Sequence, residues 1–257
     1  MKSQRTPPRL LLQQPIGSRT EVDLPAEQAN YINRVLRLRV GSPLIAFDGH
    51  GGEFRARIIS YNKSGARLAL EEPMPVLAQP LLQILLVQGI SKADRMDFAV
   101  QKSTELGVAQ VYPIHTQFSV VKLDTQRAAR RRSHWQKVAN SACEQSGRHF
   151  PPLVHPPQPL QNLLPTLPSS APRLAFDPGG SGQLLASGGT PSTVIAAIGP
   201  EGGFSPSELE LLVKTGFTLI KLGEQILRTE TAALVACTLL QARWGELRRL
   251  CAPGTSG

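Results

Sequence analysis

Little in this chain supports chemistry built on thiols or metals. Its three cysteines, Cys143, Cys237 and Cys251, show no C-x-x-C spacing and draw neither a disulfide framework nor a zinc site. His115, His134, His149 and His155 lack metal-ligand periodicity and read as polar surface. No apolar run reaches eighteen residues, which excludes a transmembrane helix. Lys2, Arg5 and Arg9 are followed only by three leucines at 10–12 before Gln13, too short for a secretory leader. There is no Gly-x-Ser-x-Gly elbow, no P-loop with its Lys and Ser/Thr, and no G-x-G-x-x-G, so a triad hydrolase, a Walker NTPase and an ordinary dinucleotide dehydrogenase lose their support. The expectation is a soluble, cytoplasmic protein with no metal site and no membrane partner.

What is present begins with size and charge. A length of 257 residues suits one large domain or two small ones, and 41% hydrophobic with 18% charged residues is enough for a packed core. The net charge is +9, and it is unevenly spread. Residues 1–80 carry 11 Lys/Arg against 7 Asp/Glu, and residues 121–150 carry 7 against 2; the remaining segments balance. Two basic blocks imply a polyanionic partner that touches both, against the plainer reading of a solvated face that aids solubility.

The first 75 residues look β-rich. Residues 44–47 run into the turn signal Asp48-Gly49, residues 53–61 alternate, residues 66–70 form a further short strand, and a helix is expected over about 25–38. Prolines at 73, 75 and 80 mark a linker. Beyond it strands at 81–87, 108–114, 153–154, 174–176, 193–198 and 217–221 alternate with helices at 94–106, 125–146, from about 206, and 229–247, which argues for an α/β domain with a mainly parallel sheet. Residues 151–191 hold ten prolines and leave the chain path there open. Trp135 on the basic helix is either core or a stacking platform for a base.

Two loops could carry chemistry. Gly199-Pro200-Glu201-Gly202-Gly203-Phe204-Ser205 follows a buried strand, where parallel sheets bind ligands, and its glycines allow close approach. Ser205, Pro206 and Glu208 predict a capping box for the next helix, which leaves Pro-Glu-Gly-Gly unexplained. The second loop, residues 222–232, opens the last helix with Thr229 as expected N-cap and Glu230 at the positive end of the dipole. Arg228 fits no helix rule; it pairs with Glu201 or meets a phosphate or base.

Gly-Pro-Glu-Gly-Gly-Phe followed some twenty-five residues later by Leu-Arg-Thr-Glu-Thr-Ala resembles the knotted SPOUT methyltransferases, specifically the RsmE family of 16S ribosomal RNA uridine N3-methyltransferases. Lys92-Ala93-Asp94-Arg95-Met96-Asp97, Gln101 to Val108, Trp135-Gln136-Lys137, Glu144 to Arg148, Arg34-Val35-Leu36-Arg37 and Phe47-Asp48-Gly49 extend the likeness over nearly the whole chain. Tyr31 and Ala93 depart from the family's usual histidine and glycine.

The resemblance implies a PUA-like β-barrel that binds RNA (residues 1–72), a linker (73–80), a trefoil-knotted SPOUT domain with a mainly parallel sheet (81–250) and a flexible tail (251–257). It implies S-adenosylmethionine bound by Phe176, Ile198, Gly199, Pro200, Glu201, Gly202, Gly203, Leu222, Gly223, Ile226, Leu227, Thr229, Thr231 and Ala232. Arg228, Glu230 and Glu201 become the candidate catalytic residues, with the proton acceptor open. Arg34, Arg37, Arg55, Arg57, Lys92, Arg95, Arg130, Arg131, Arg132, Glu144 and Arg148 become candidate contacts to 16S rRNA on the small subunit. A homodimer is also implied; Leu234, Val235, Thr238, Leu239 and Ala242 on the last helix offer a stripe for pairing or for core. A SPOUT enzyme acting on another RNA and an RNA binder that has lost catalysis are the competing expectations.

Overall fold

The computed structural model describes residues 7–75, 78–119, 124–184 and 189–251. Lys2, Arg5, part of the expected linker and most of the expected tail lie outside them, as does the side chain of Cys251. The chain divides into two compact units, Met1–Gln79 with Cys143–Pro151, and Pro80–Ala142 with Pro152–Gly257.

The first unit holds strands β1 (Arg9–Leu11), β2 (Glu21–Pro25), β3 (Pro43–Phe47), β4 (Glu53–Asn62) and β5 (Gly65–Pro73), in the order β1-β3-β4-β5-β2. β4 alternates because Ala56 and Ile58 enter the core while Arg55 and Arg57 face water. The helix expected over 25–38 is shorter: α1 (Ala26–Asn30) passes into a π-helical turn, Tyr31–Val35, and Arg37 takes a positive φ of 56°. β5 runs on to Pro73, the first residue of the expected linker. Arg9 fastens residues 143–151 to this unit. Its guanidinium donates to Glu53 at 2.8 Å, to the Cys143 carbonyl at 3.2 Å and to the Arg148 carbonyl at 3.0 Å, and stacks on Phe47 at 4.3 Å.

The second unit is built on β6 (Gln83–Gly89), α2 (Ala93–Glu105), β7 (Val108–His115), α3 (Thr125–Ser146, whose last turn groups with the first unit), β8 (Leu153–Val154), β9 (Gln158–Pro159), α4 (Leu160–Leu163), β10 (Arg173–Phe176), β11 (Thr193–Ile198), α5 (Pro206–Lys214), β12 (Phe217–Ile220), α6 (Thr229–Trp244) and α7 (Arg248–Cys251). Its sheet runs β12-β10-β11-β6-β7-β8, parallel throughout, with β9 also pairing β7. This is the α/β class that the alternating strands and helices predict. The central strands are apolar on both faces because both faces are covered. Ile84 and Leu86 join the core with α6 residues Ala233, Ala236, Cys237 and Leu240, and Leu85 and Val87 join Phe204, Leu212 and Phe217 on the other side. Trp135 is 2% exposed in the first of these cores, which settles it as packing.

Candidate active site

Three strand ends meet at one cleft. β10 stops at Phe176, where the Asp177 N–H donates to the Ile220 carbonyl at 3.0 Å; β11 stops at Ile198, and β12 at Ile220. The C-terminal edge of a parallel sheet leaves its last backbone groups and the following loops free to face a ligand. Here they surround a cavity of about 270 Å³.

The loop after β11 is held from several directions. The capping box forms as expected: Ser205 Oγ accepts from the Glu208 N–H at 3.3 Å, and a Glu208 carboxylate oxygen accepts from the Ser205 N–H at 2.8 Å. Its other oxygen accepts from the Gln117 N–H at 2.8 Å. Gly203 sits at φ 72°, a conformation that costs glycine nothing, and its N–H donates to the Pro200 carbonyl at 2.9 Å. The end of β6 presses on the same loop: a Cβ on Gly89 would lie 2.3 Å from the Pro200 nitrogen.

The loop after β12 behaves differently from its local prediction. Thr229 was the expected cap, but the cap position of α6 belongs to Arg228, extended at φ −64° and ψ 153°, and Thr229 is the first helical residue. The Thr229 hydroxyl is turned to long-range partners instead. It donates to the Gly199 carbonyl at 2.6 Å and accepts from Gln88 Nε2 at 2.9 Å.

Glu201 and Arg228 line the cleft without an ion pair between them among the described residues. Glu201 Oε1 instead accepts from the Lys92 N–H at 3.1 Å and lies 3.4 Å from Arg95 Nη1. Its Oε2 is buried and has no hydrogen-bond partner among the described residues. Arg228 is exposed.

Of the expected cofactor residues, Phe176, Ile198, Gly199, Pro200, Glu201, Gly203, Leu222, Gly223, Ile226, Leu227, Thr229 and Ala232 line this one cleft. Gly202 and Thr231 do not: a Cβ on Gly202 would meet Phe118 at 2.8 Å, and Thr231 is exposed on the first turn of α6. Glu230 is also off the cleft, with Oε2 buried and unpartnered among the described residues. Sequence reasoning missed Asp177, Pro178, Phe204, Lys221 and Gln225 as lining residues, and placed Arg95 with RNA although it lines the cleft too. The signal for Asp177 and Pro178 was their position directly after a strand. The cleft suits a ligand that is part apolar and part charged: Phe176, Ile198, Leu222 and Leu227 offer hydrocarbon, Gly199, Pro200 and Gly203 bring backbone close, and Glu201, Arg95 and Arg228 bring charge. These residues fit S-adenosylmethionine.

The residues assigned to RNA are dispersed. Arg34 and Arg37 are exposed and have no ion pair among the described residues. Arg57 is paired with Glu71 at 2.7 Å and Arg55 with Glu72 at 3.6 Å. Lys92 precedes α2, and Arg130 and Arg131 lie on α3. Arg132 donates its Nε to the Val154 carbonyl at 3.0 Å, a structural tie. Glu144 accepts from the Leu11 N–H at 2.9 Å, and burial pushes its carboxyl up to about 7, against the lowering effect of that hydrogen bond and of Arg9. The Arg148 carbonyl accepts from Arg9 and from the Cys143 thiol. Among the described residues no group of three or more His, Cys, Asp or Glu could hold a metal ion, and no helix is long and apolar enough to cross a membrane.

Known proteins match along the same division. Residues 78–241 match the RNA methyltransferase domain family, and residues 24–71 match the RNA methyltransferase PUA domain family. Ribosomal RNA small subunit methyltransferase E of Buchnera aphidicola subsp. Schizaphis graminum is 31% identical over 241 residues, covering 93% of this chain and 98% of its own. The ribosomal RNA small subunit methyltransferase E of Neisseria gonorrhoeae, crystallised bound to S-adenosylmethionine, is 36% identical with a TM-score of 0.87, covering 94% of this chain and 99% of its own. A Legionella pneumophila protein in complex with the same cofactor is 34% identical with a TM-score of 0.84, covering 94% and 99%. With its paired domain matches and relatives spanning nearly its full length, the chain belongs to the ribosomal RNA small subunit methyltransferase E family.

Proposed function

We propose that this protein methylates N3 of a specific uridine in 16S ribosomal RNA, using S-adenosylmethionine and acting on the assembled small subunit. One observation carries the reading: the Gly-Pro-Glu-Gly-Gly and Leu-Arg-Thr-Glu loops, far apart in sequence, line a single cleft at the ends of β10, β11 and β12. The relatives solved with S-adenosylmethionine support it.

When bound, the cofactor supplies an electrophilic methyl group on a sulfonium. The chain's own residues provide the rest. N3 lies on the Watson–Crick edge of the base, so the target must be unpaired when it enters the cleft. N3 also carries a proton that must leave. Glu201 is the proton acceptor in this reading, because it is a carboxylate that lines the cleft together with Arg228. Arg228, exposed on the cleft, orients the uracil and stabilises negative charge as it develops on the carbonyl oxygens. Glu230, off the cleft in the first turn of α6, is assigned to positioning.

Residues 1–72 dock RNA in this reading, 73–80 connect and 81–250 carry catalysis. The trefoil path belongs to the same proposal. The Gly182 N–H donates to the Leu219 carbonyl at 2.9 Å, so the segment after β10 lies along β12, and the segment after β12 is bonded back to Gly199. A homodimer through α6 is supported by Thr238 and Leu239 (39% exposed) on its outer face, and a ribosomal substrate implies a cytoplasmic site of action.

The test is to incubate unmethylated small subunits with the protein and S-adenosylmethionine, then identify the modified nucleoside after digestion. 3-Methyluridine in 16S RNA is expected; a different methylated nucleoside, or none, overturns the reading. Arg228→Ala should lower turnover ~100-fold, as for loss of one charge-stabilising donor. Light scattering at micromolar concentration should give twice the 27.8 kDa chain mass.

A further inference from the structure

Gln88 breaks a pattern. Along β6 and just beyond it, Leu82, Ile84, Leu86 and Ile90 alternate into the core shared with α6, and position 88 falls in the same row. The side chain there is an amide, 0% exposed. A leucine or methionine would fill such a site without a polar group to satisfy, so packing does not account for the choice.

Its hydrogen bonds do. Gln88 Nε2 donates to Thr229 Oγ1 at 2.9 Å and to the Gly89 carbonyl at 3.1 Å. Because Thr229 Oγ1 accepts there, its own proton is directed to the Gly199 carbonyl at 2.6 Å. A buried chain thus connects the central strand, the first residue of α6 and the first residue of the loop that lines the cleft. Gly89 places the same strand end against Pro200. Gln88 Oε1 is buried with no partner among the described residues, a cost borne at this position rather than removed by an apolar side chain.

We propose that Gln88 is a positioning residue for methyl transfer, fixing the 199–203 loop through the Thr229 hydroxyl before any ligand arrives. This rests on the cleft being the S-adenosylmethionine site. A loop fixed in advance loses less freedom on binding, so the predicted consequence is cofactor affinity.

The experiment has two readouts. Hydrogen exchange of the ligand-free protein needs no cofactor: Gln88→Met should speed exchange over residues 199–203 while β7 and α2 are unchanged, and unchanged exchange in the loop overturns the proposal. Calorimetric titration with S-adenosylmethionine should then show about tenfold weaker binding for Gln88→Met and for Thr229→Val, the range expected when one partner of a buried hydrogen bond is removed. Thr229→Ser should recover most of the affinity lost in Thr229→Val, and the double variant should be no weaker than the weaker single one. Additive losses, or a Thr229→Ser as weak as Thr229→Val, overturn the chain. Cys237→Ala, a core change in α6, should lower the melting temperature and keep parental affinity; a tenfold loss there too would reduce the effect to stability. Failure of the parent to bind, with loop exchange still altered in Gln88→Met, would instead count against the cleft as cofactor site.

Discussion

At the scale of single residues, local environment separates groups that composition treats alike. Glu144 is one of two acids in a strongly basic block, yet it faces the Leu11 N–H inside the first unit rather than an anionic partner. Burial is the larger influence and holds its carboxyl at about 7, above the ordinary 4.5. Between those values the folded protein binds more protons at this site than the unfolded chain does, so stability falls as pH rises through that window. The contribution is present below about 4.5 and lost above about 7, with a size on the order of 3 kcal/mol. Glu144→Gln keeps an acceptor for Leu11 and cannot ionise. Urea melts at pH 5 and pH 8 should show the parent losing more stability across that interval than the variant; parallel losses would refute the assignment. The arginines divide in the same manner. Arg132 is tied to the Val154 carbonyl, so replacing it should loosen β8, whereas Arg130→Gln, at an exposed position, should leave thermal stability within about 0.5 kcal/mol, as surface changes do. A larger loss for Arg130→Gln would mean that it, too, has a structural partner.

At the scale of elements, the local rules of helix and strand were legible and the long-range ones were not. The parallel sheet follows from its apolar runs, the start of α5 from Ser-Pro-Ser-Glu, and the end of α2 from Gly107, which takes φ 91°. The two helix ends depend on residues within a turn of one another. The π-helical turn after α1 and the Arg37 backbone depart from the periodicity, as a helix-like pattern does when the turn beneath it is distorted. Thr229 was misassigned as a cap because helix grammar sees only its neighbours; its partners are Gly199 and, 141 residues away, Gln88. The two cleft loops could be recognised individually, but only the strand order brings them together. This contrast gives a prediction. Ser205→Ala removes a cap and should cost about 1 kcal/mol of stability with little change in cofactor affinity. Gly89→Ala sets a Cβ 2.3 Å from Pro200 backbone, which cannot move without displacing the loop, so S-adenosylmethionine binding should fall well beyond the stability loss. If calorimetry shows equal affinity for Gly89→Ala and the parent, the strand end does not shape the cleft.

For the whole molecule the governing quantity is where uncompensated positive charge remains after folding. The sequence places the excess in residues 1–80 and 121–150, and pairing decides which cations carry it. Arg9 is committed to Glu53, Arg67 to Asp23, Arg57 to Glu71, and Arg55 lies near Glu72. Arg34 and Arg37 in the first unit, and Arg130 and Arg131 on α3, have no ion pair among the described residues. An RNA backbone gains most from cations that need not first release a carboxylate, and each phosphate so neutralised adds about 0.7 to the salt slope on single strands. Replacing Arg34 by Gln together with Arg37 by Asn, which tolerates the positive φ, should therefore weaken binding of 16S RNA and lower the slope by about 1.4. Arg130→Gln with Arg131→Gln should do the same. Arg55→Gln with Arg57→Gln should change the slope far less, because their charges are already offset. S-adenosylmethionine affinity should stay at the parental value in all three, for none of these residues lines the cleft. Filter binding over a range of salt concentrations reads the slopes directly. Equal losses from paired and unpaired arginines would mean that docking follows total charge rather than the charge that folding leaves free.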